Sequence, residues 1–148
     1  MKCLFCDIIK GKREKGHILF QDKNHIAVLD IFPIYKGQCF IIPKKHIGSL
    51  DLWKMSNADY SKLLVFTKKV EKLLEKALKP KFTCLVVEGT GVDHLHIKLY
   101  PIIKIKKWAD TKPRKLTPYP GYITTWLGSK AKEGDLLKIA KKIKKLTP

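Results

Sequence analysis

Two histidines and a lysine alternate along the chain at His94, His96 and Lys98. Successive side chains of a strand point to opposite faces, so in a strand these three share one face. Burying three cation-capable side chains is costly unless they have partners. A neutral imidazole can attack phosphorus, and a neighbouring ammonium group can hold phosphate oxygens. The spacing therefore predicts a site that handles phosphate.

Cys3 and Cys6 form a C-x-x-C pair that can grip one metal ion. Zinc prefers four tetrahedral nitrogen and sulfur ligands, so two further ligands must come from elsewhere in the chain. The candidates are His46, His94 and His96. The spacing alone leaves two alternatives open, a redox-active pair and two packed cysteines. No β-α-β pattern surrounds the pair, which argues against the redox interpretation.

Short apolar runs separated by turn residues predict the strands that position these side chains. The predicted strands are Ile18–Gln21, Ile26–Asp30, Gln38–Ile42, Phe82–Val87, His94–Tyr100 and Tyr122–Leu127. Pro43 is expected to close the third strand. Mostly sequential strands with segregated helices are typical of an α+β fold with an antiparallel sheet.

Two amphipathic patterns predict helices. The first runs from Ser56, the expected N-cap, to Leu78, and Pro80 follows its end. Its inward stripe is predicted to consist of Leu63, Leu64, Thr67, Val70, Leu74 and Ala77. The second, basic helix is predicted at Asp135–Leu146. Its predicted inward residues are Leu136, Ile139, Ala140 and Ile143.

The chain has 148 residues, 45% of them hydrophobic, which suits one domain spanning residues 1–148. No apolar run approaches the roughly 18 residues of a membrane-spanning helix. Asp7 interrupts the apolar N-terminal stretch, so we expect no signal peptide. Without an export signal the cysteines are expected to stay reduced, with Cys39 and Cys84 packed in the core. We therefore expect a cytoplasmic globular protein.

The formal net charge is +18, and much of the excess lies late in the chain. Residues 104–148 contain 13 basic and three acidic residues. Such an excess attracts polyanions such as nucleotides, nucleic acids or acidic membranes. A lysine-rich proteome, such as a thermophilic one, explains the same excess equally well. Charge alone identifies no function.

Several segments resemble the histidine-triad (HIT) family. D-H-L-H-I-K-L-Y-P resembles the signature in which alternating histidines precede a proline-ended strand. C-L-F-C-D-I-I-K-G-K resembles the N-terminal motif, I-A-V-L-D-I-F-P the nucleoside-binding strand, and F-I-I-P-K-K-H-I the strand and loop after it. In this order they span Cys3 to Pro101. The basic extension from Lys104 to Pro148 is not covered.

The resemblance implies an α+β HIT-like fold, with a five-stranded antiparallel sheet, one long central helix and a C-terminal helix, paired as a homodimer. It implies nucleotide hydrolase or nucleotidyl transferase activity, with His96 as the nucleophile on the α-phosphorus of a purine nucleotide derivative. Dinucleoside polyphosphates and nucleoside phosphoramidates are the expected substrates. Asp30 is expected to hold the ribose hydroxyls. The expected base wall consists of Phe5, Ile8, Val28, Leu29 and Ile31, for which ordinary core packing is the alternative.

Members with the N-terminal C-x-x-C often bind one zinc. The resemblance implies that Cys3, Cys6, His46 and His94 are the ligands here. Four protein ligands close the coordination sphere, so the zinc would be structural. It would tie the N-terminus to the catalytic strand.

Two departures from the family pattern bear on function. The third triad position is Lys98, which we expect to bind phosphate. The stretch before His94, E-G-T-G-V-D, is short and places Glu88 and Asp93 where a polyanion would approach. Two alternatives to the enzyme follow: a catalytically weak nucleotide-binding module, and a nucleic-acid-binding protein. The latter would use the basic extension with Trp108, Tyr119 and Trp126 as stacking surfaces.

Overall fold

The computed structural model describes residues 3–12, 17–89, 91–104 and 128–147, which contain three α-helices and five strands. In chain order they are α1 (Leu4–Ile9), β1 (Ile18–Gln21), β2 (His25–Leu29), β3 (Cys39–Pro43), α2 (Asn57–Leu78), β4 (Phe82–Val86), β5 (Ile97–Ile102) and α3 (Glu133–Lys144). The strands form one antiparallel sheet in the order β1-β2-β3-β5-β4. The predicted α+β architecture is confirmed. The predicted strand Tyr122–Leu127 and Trp108, Tyr119 and Trp126 lie outside the described residues.

The long helix α2 packs against one face of the sheet. The Ser56 side chain caps it by accepting a hydrogen bond from the backbone N–H of Asp59 at 3.1 Å. Leu64 is 38% exposed, so its predicted inward position is wrong. Each helical residue turns the side-chain direction by about 100°, and the stripe through Leu63 leaves its immediate neighbour outside. Phe66 and Leu73 are buried in its place.

The C-terminal helix α3 packs against β1 and α2 on the same face of the sheet. All four inward residues predicted for it are buried, although the helix begins two residues earlier than predicted. The segment before it attaches to the loop after β2. Gly128 N–H donates to the Phe32 carbonyl at 3.0 Å, and Ala131 N–H donates to the Ile31 carbonyl at 2.9 Å. The C-terminal extension therefore holds this loop in place.

The other face of the sheet is partly covered by α1. This six-residue helix is not among the elements that the sequence predicted. At its start, the Cys3 sulfur accepts a hydrogen bond from the Cys6 N–H at 3.5 Å. Phe5 inserts from α1 into a small apolar cluster with Ile26, Val28 and Ile42. The main core lies on the opposite face, between the sheet and the two longer helices.

Two sequence predictions about strands and cysteines need correction. β5 begins at Ile97 and not at His94, because the Leu95 N–H pairs with the Ile47 carbonyl of a loop instead of a strand. Cys39 is fully buried, but Cys84 is half-buried because β4 lies at the edge of the sheet. None of the four cysteines forms a disulfide. Among the described helices, none is long and apolar enough to cross a bilayer.

Candidate active site and metal centre

The fold brings Cys3, Cys6, His46 and His94 together, and their potential ligand atoms lie within 4.8 Å of one another. The His46 and His94 Nδ1 atoms are 3.3 Å apart. The Cys6 sulfur is 3.4 Å from His46 Nδ1 and 3.5 Å from His94 Nδ1. The Cys3 sulfur is 3.4 Å from His94 Nδ1. Residues from α1, the loop after β3 and the segment before β5 thus meet at one point.

These separations fit a tetrahedral zinc ion. Zinc–nitrogen bonds of about 2.0–2.1 Å and zinc–sulfur bonds of about 2.3 Å place neighbouring ligand atoms roughly 3.3–3.8 Å apart. His94 donates from Nε2 to the Pro43 carbonyl at 2.8 Å, which leaves the Nδ1 lone pair directed at the cluster. Burial lowers the pKa of His94, so the imidazole is held in the neutral form that binds metals. The donor set suits zinc.

His96 is buried, and its ring nitrogens have distinct roles. Nδ1 lies 2.7 Å from the His94 carbonyl oxygen, which can only accept, so Nδ1 carries the proton and Nε2 keeps a lone pair. The Phe5 and Phe40 rings pack edge-on against the imidazole, with centroids at 5.2 Å and 5.6 Å. Burial lowers the pKa of His96, and the nearby Lys98 charge acts in the same direction. The ring is therefore neutral, and its Nε2 lone pair is held in one direction.

Lys98 lies on the same face of the sheet, paired in register with Phe40 on one side and Val86 on the other. Its ammonium group donates to a carboxylate oxygen of Glu88. The Lys98 side chain is 11% exposed and that of Glu88 is 3% exposed, so this is a buried ion pair. The sequence placed Glu88 near the site without predicting the pair. Continuing the β4–β5 register by two residues sets Glu88 beside His96 and would have revealed it.

Asp30 follows β2 and is buried, and Gln38 of the neighbouring chain segment holds it. One carboxylate oxygen accepts from the Phe32 N–H at 2.8 Å, and the other accepts from the Gln38 amide nitrogen at 2.5 Å. The Gln38 amide oxygen accepts from the Ile34 N–H at 2.9 Å. Burial raises the pKa of Asp30. The sequence missed Gln38, although the antiparallel β2–β3 register places it opposite Asp30.

The five apolar residues predicted to form a base wall do not all lie together. Phe5 and Val28 belong to the apolar cluster under α1, and Ile8 packs against that cluster. Leu29 points to the opposite face of β2, into the main core. Ile31 is 43% exposed in the loop after β2, where the C-terminal segment holds its carbonyl. Of the predicted wall, only the part formed by α1 and the outward face of β2 therefore lies on the side of the sheet where Phe5 packs against His96.

The short connection between β4 and β5 is tied to the loop after β3. Asp93 accepts from the Ser49 N–H at 3.0 Å. Gly89 has a positive φ of 148°, and a Cβ there would lie 2.8 Å from the Ser49 backbone oxygen. Only glycine allows this close approach without strain. The two loops that carry Glu88 and His46 are thereby fixed relative to each other.

Comparison with known proteins identifies the family. The family model described as HIT domain matches residues 12–117. An adenosine 5′-monophosphoramidase of Schizosaccharomyces pombe is 32% identical over 107 residues, which cover 68% of this chain and 74% of that protein. A bifunctional adenosine 5′-phosphosulfate phosphorylase/adenylylsulfatase of Arabidopsis thaliana is 27% identical over 124 residues, which cover 82% of this chain and 84% of that one.

A solved structure supports the same fold. The zinc-bound histidine triad family protein from Mycobacterium smegmatis superimposes with a TM-score of 0.69 at 17% identity, covering 99% of this chain and 96% of that chain. At this identity the likeness establishes the fold alone. The family model spans most of the chain, and its span includes Asp30, His46 and the whole histidine segment. The chain is a member of the HIT domain family.

Proposed function

We propose that this chain is a nucleotide hydrolase or nucleotidyl transferase that uses His96 as its nucleophile on the α-phosphorus of purine nucleotide derivatives. The observation that carries the proposal is the hydrogen bond from His96 Nδ1 to the His94 carbonyl, which leaves a lone pair on Nε2. The relatives named as an adenosine monophosphoramidase and an adenylylsulfatase support this reaction class. Dinucleoside polyphosphates and nucleoside phosphoramidates are the substrates we propose.

The reaction proceeds in two displacements. His96 Nε2 attacks the α-phosphorus, the nitrogen–phosphorus bond forms, and the bond to the leaving group breaks with its electron pair. An amine leaving group takes a proton from solvent. A water oxygen then attacks the same phosphorus, the electron pair of the nitrogen–phosphorus bond returns to Nε2, and the water proton passes to solvent. The products are a nucleoside monophosphate and the released group.

The surrounding residues bind and orient the nucleotide. Asp30 accepts hydrogen bonds from the ribose hydroxyls. A carboxylate has about four acceptor positions, and hydrogen bonds from Phe32 and Gln38 use two of them. Phe5, Ile8, Val28 and Ile31 contact the base, and Leu29 supports this wall from the core. Lys98 holds phosphate oxygens, with Glu88 fixing the direction of its ammonium group.

We assign Cys3, Cys6, His46 and His94 to a structural zinc ion. Four protein ligands leave no coordination position for water, so the metal supplies no reaction chemistry. The ligands tie α1, which carries Phe5, to the segment that carries His96. The M. smegmatis neighbour with the same fold is described as zinc-bound. The four cysteines form no disulfide, and we propose a reducing compartment, the cytoplasm, for the protein.

A homodimer is part of the proposal. On α2, Leu64 and Val65 point away from the core and are 38% and 56% exposed. On β4, Phe82 and Leu85 are 40% and 42% exposed at the edge of the sheet. Apolar side chains exposed on a long helix and on an open sheet edge are typical of a surface covered by a second subunit.

The test of the proposed function is release of AMP. Adenosine 5′-phosphoramidate, adenylyl sulfate and diadenosine tetraphosphate are incubated with the wild type and with His96→Ala. We expect release from at least one substrate by the wild type, and a loss of at least about a thousandfold in the variant, as for other catalytic nucleophiles. His17→Ala is the matched control, because His17 contacts Glu133 of α3 and lies outside the site. A folded wild type that is inert on all three favours the binding-module alternative.

Binding of single-stranded nucleic acid is a second candidate function. A groove of about 900 Å³ is lined in part by His46. Its basic lining residues are Lys23, Lys44, Lys45, Lys54 and Lys62, against the two carboxylates of Asp51 and Asp59. Trp53 adjoins the groove beside Lys54 and is 78% exposed. Lysines that neutralise phosphates next to an exposed aromatic ring are the features with which proteins bind single strands.

A further inference from the structure

The ion pair between Lys98 and Glu88 changes the charge of the catalytic site. A lysine at the third position of the histidine segment would by itself leave a positive charge beside the phosphate. The structure pairs that charge with a carboxylate, and both side chains are buried. The charge of the pair is therefore zero. Buried charges are weakly screened, so cancellation within the pair matters more here than the surface excess of lysine does.

Glu88 lies on the side of the site where a leaving group must go. In the sheet order β1-β2-β3-β5-β4, Asp30 follows β2, His96 precedes β5, and Glu88 follows β4. The two carboxylates therefore lie on opposite sides of His96. A ribose held at Asp30 fills the β2 side, which leaves the β4 side for the other substituent of the phosphorus.

The chain between β4 and His96 offers no cation to an anionic group. Its sequence, from Glu88 to Asp93, contains two acidic residues and no basic one. Glu88 contacts Lys98, and Asp93 contacts the Ser49 backbone. When sulfate or a polyphosphate is the leaving group, negative charge develops on it close to the Glu88 carboxylate as its bond to phosphorus breaks. An amine leaves neutral or positively charged and meets no such repulsion.

We infer that Glu88 is a specificity-determining residue that offsets the Lys98 charge and selects against anionic leaving groups. The inference rests on the proposed function and narrows its substrate class to phosphorus–nitrogen bonds. Phosphoric–sulfuric and phosphoric–phosphoric anhydrides become the poorer substrates. His96 and the proposed zinc ligands take no part in this selection, which depends on the ion pair between Lys98 and Glu88.

The test compares kcat/KM for two substrates with the same nucleoside. Adenylyl sulfate releases sulfate, and adenosine 5′-phosphoramidate releases ammonia. The ratio of the first kcat/KM to the second reports the leaving-group preference, because losses in general catalysis cancel. The ratio is measured for the wild type, Glu88→Gln, Lys98→Gln and the double variant. The net charge at positions 88 and 98 is zero in the wild type and the double variant, positive in Glu88→Gln and negative in Lys98→Gln.

Glu88→Gln leaves the Lys98 charge unopposed, so the ratio rises by roughly tenfold or more at an effective dielectric constant of about 20. Lys98→Gln leaves the carboxylate unopposed and lowers the ratio by a similar factor. The double variant is again neutral, and its ratio returns to that of the wild type. Glu75→Gln makes the same chemical change on the exposed side of α2 and leaves the ratio unchanged.

Thermal unfolding of each variant shows whether it is folded. If Glu88→Gln does not fold, comparing Lys98→Gln with the double variant measures the same charge step. An active wild type whose ratio does not move when the carboxylate is removed overturns the role of Glu88 and leaves the proposed function standing. A folded wild type that cleaves neither of these substrates nor diadenosine tetraphosphate overturns the proposed function itself, and this inference with it.

Discussion

At the scale of single residues, the site depends on side chains that hold other side chains. Asp30 is a buried carboxylate whose pKa burial raises, so ionising it costs folding free energy. Hydrogen bonds from Phe32 and Gln38 oppose that cost and fix the direction of the carboxylate. Gln38 is itself fixed, because its amide oxygen accepts from Ile34. The direction of the Asp30 carboxylate, which we propose binds the ribose, is thus set by Gln38 and, through it, by Ile34.

Replacing Gln38 therefore tests whether the ribose contact is pre-oriented. Gln38→Leu fills a similar volume but removes the donor to Asp30 and the acceptor for Ile34. A hydrogen bond to a charged group is worth about 1.5–3 kcal/mol, so AMP binding weakens by roughly tenfold or more. Isothermal titration with AMP and with its 2′,3′-dideoxy analogue measures the effect.

The dideoxy analogue makes the assay specific to the diol. The analogue has no ribose hydroxyls that could donate hydrogen bonds to Asp30. Its affinity is therefore lower than that of AMP and changes little in the variant. Gln21→Leu, at the exposed end of β1, is the matched control and leaves both affinities unchanged. Equal weakening of AMP and of the dideoxy analogue in Gln38→Leu would show a general loss of structure and contradict a role at the ribose.

At the scale of elements, α1 is the part least able to stand alone. A helix of six residues lies well below the roughly 12–15 residues at which isolated helices become even marginally stable. It is held by Phe5, which packs against Val28 and the His96 ring, and by the two cysteines of the metal cluster. The candidate metal cluster and the packing of Phe5 against His96 therefore depend on the same short helix.

Loss of the metal ligands should release α1 from its contact with the His96 ring. Cys6→Ser removes one of four ligands, and we expect bound zinc to fall from about one per chain to well below it. The free energy of unfolding falls by several kcal/mol, which lowers Tm by about 10 °C. Metal analysis, calorimetry and AMP release measure the three consequences, and activity falls because Phe5 no longer packs on His96.

A cysteine outside the cluster provides the control for that experiment. Cys84→Ser changes the same atom in β4, where the side chain is half-buried and lies outside the candidate metal cluster found among the described residues, and we expect it to leave the zinc content unchanged. Chelation of the wild type should reproduce the loss of stability seen in Cys6→Ser and have little effect on that variant. If wild-type protein purified without zinc is as stable as the same protein loaded with zinc, the metal has no structural role.

At the scale of the whole molecule, local periodicity predicted most of the architecture, and long-range register supplied the rest. The inward residues of α3 follow from a 3.6-residue repeat of apolar residues that is visible in the sequence itself. The pair of Lys98 with Glu88 and the contact of Gln38 with Asp30 depend on which strands are neighbours. No local pattern encodes that order. Helix α1 was missed because six residues are too few for a period to show.

Whole-molecule charge raises the question whether nucleic acid is bound in one place or everywhere. If the groove lined by Lys23, Lys44, Lys45, Lys54 and Lys62 binds single strands, Lys23→Glu/Lys45→Glu weakens binding of a single-stranded oligonucleotide. The effect is far larger than that of the same double change on α3. Two lost phosphate contacts lower the slope of log affinity against log salt by about 1.4. The matched control is Lys141→Glu/Lys142→Glu, which has the same net charge at exposed positions of α3. Fluorescence anisotropy over a salt series measures both, and Trp53→Ala separately tests stacking. Equal weakening by the two double variants would mean that the excess lysine acts only as a diffuse charge.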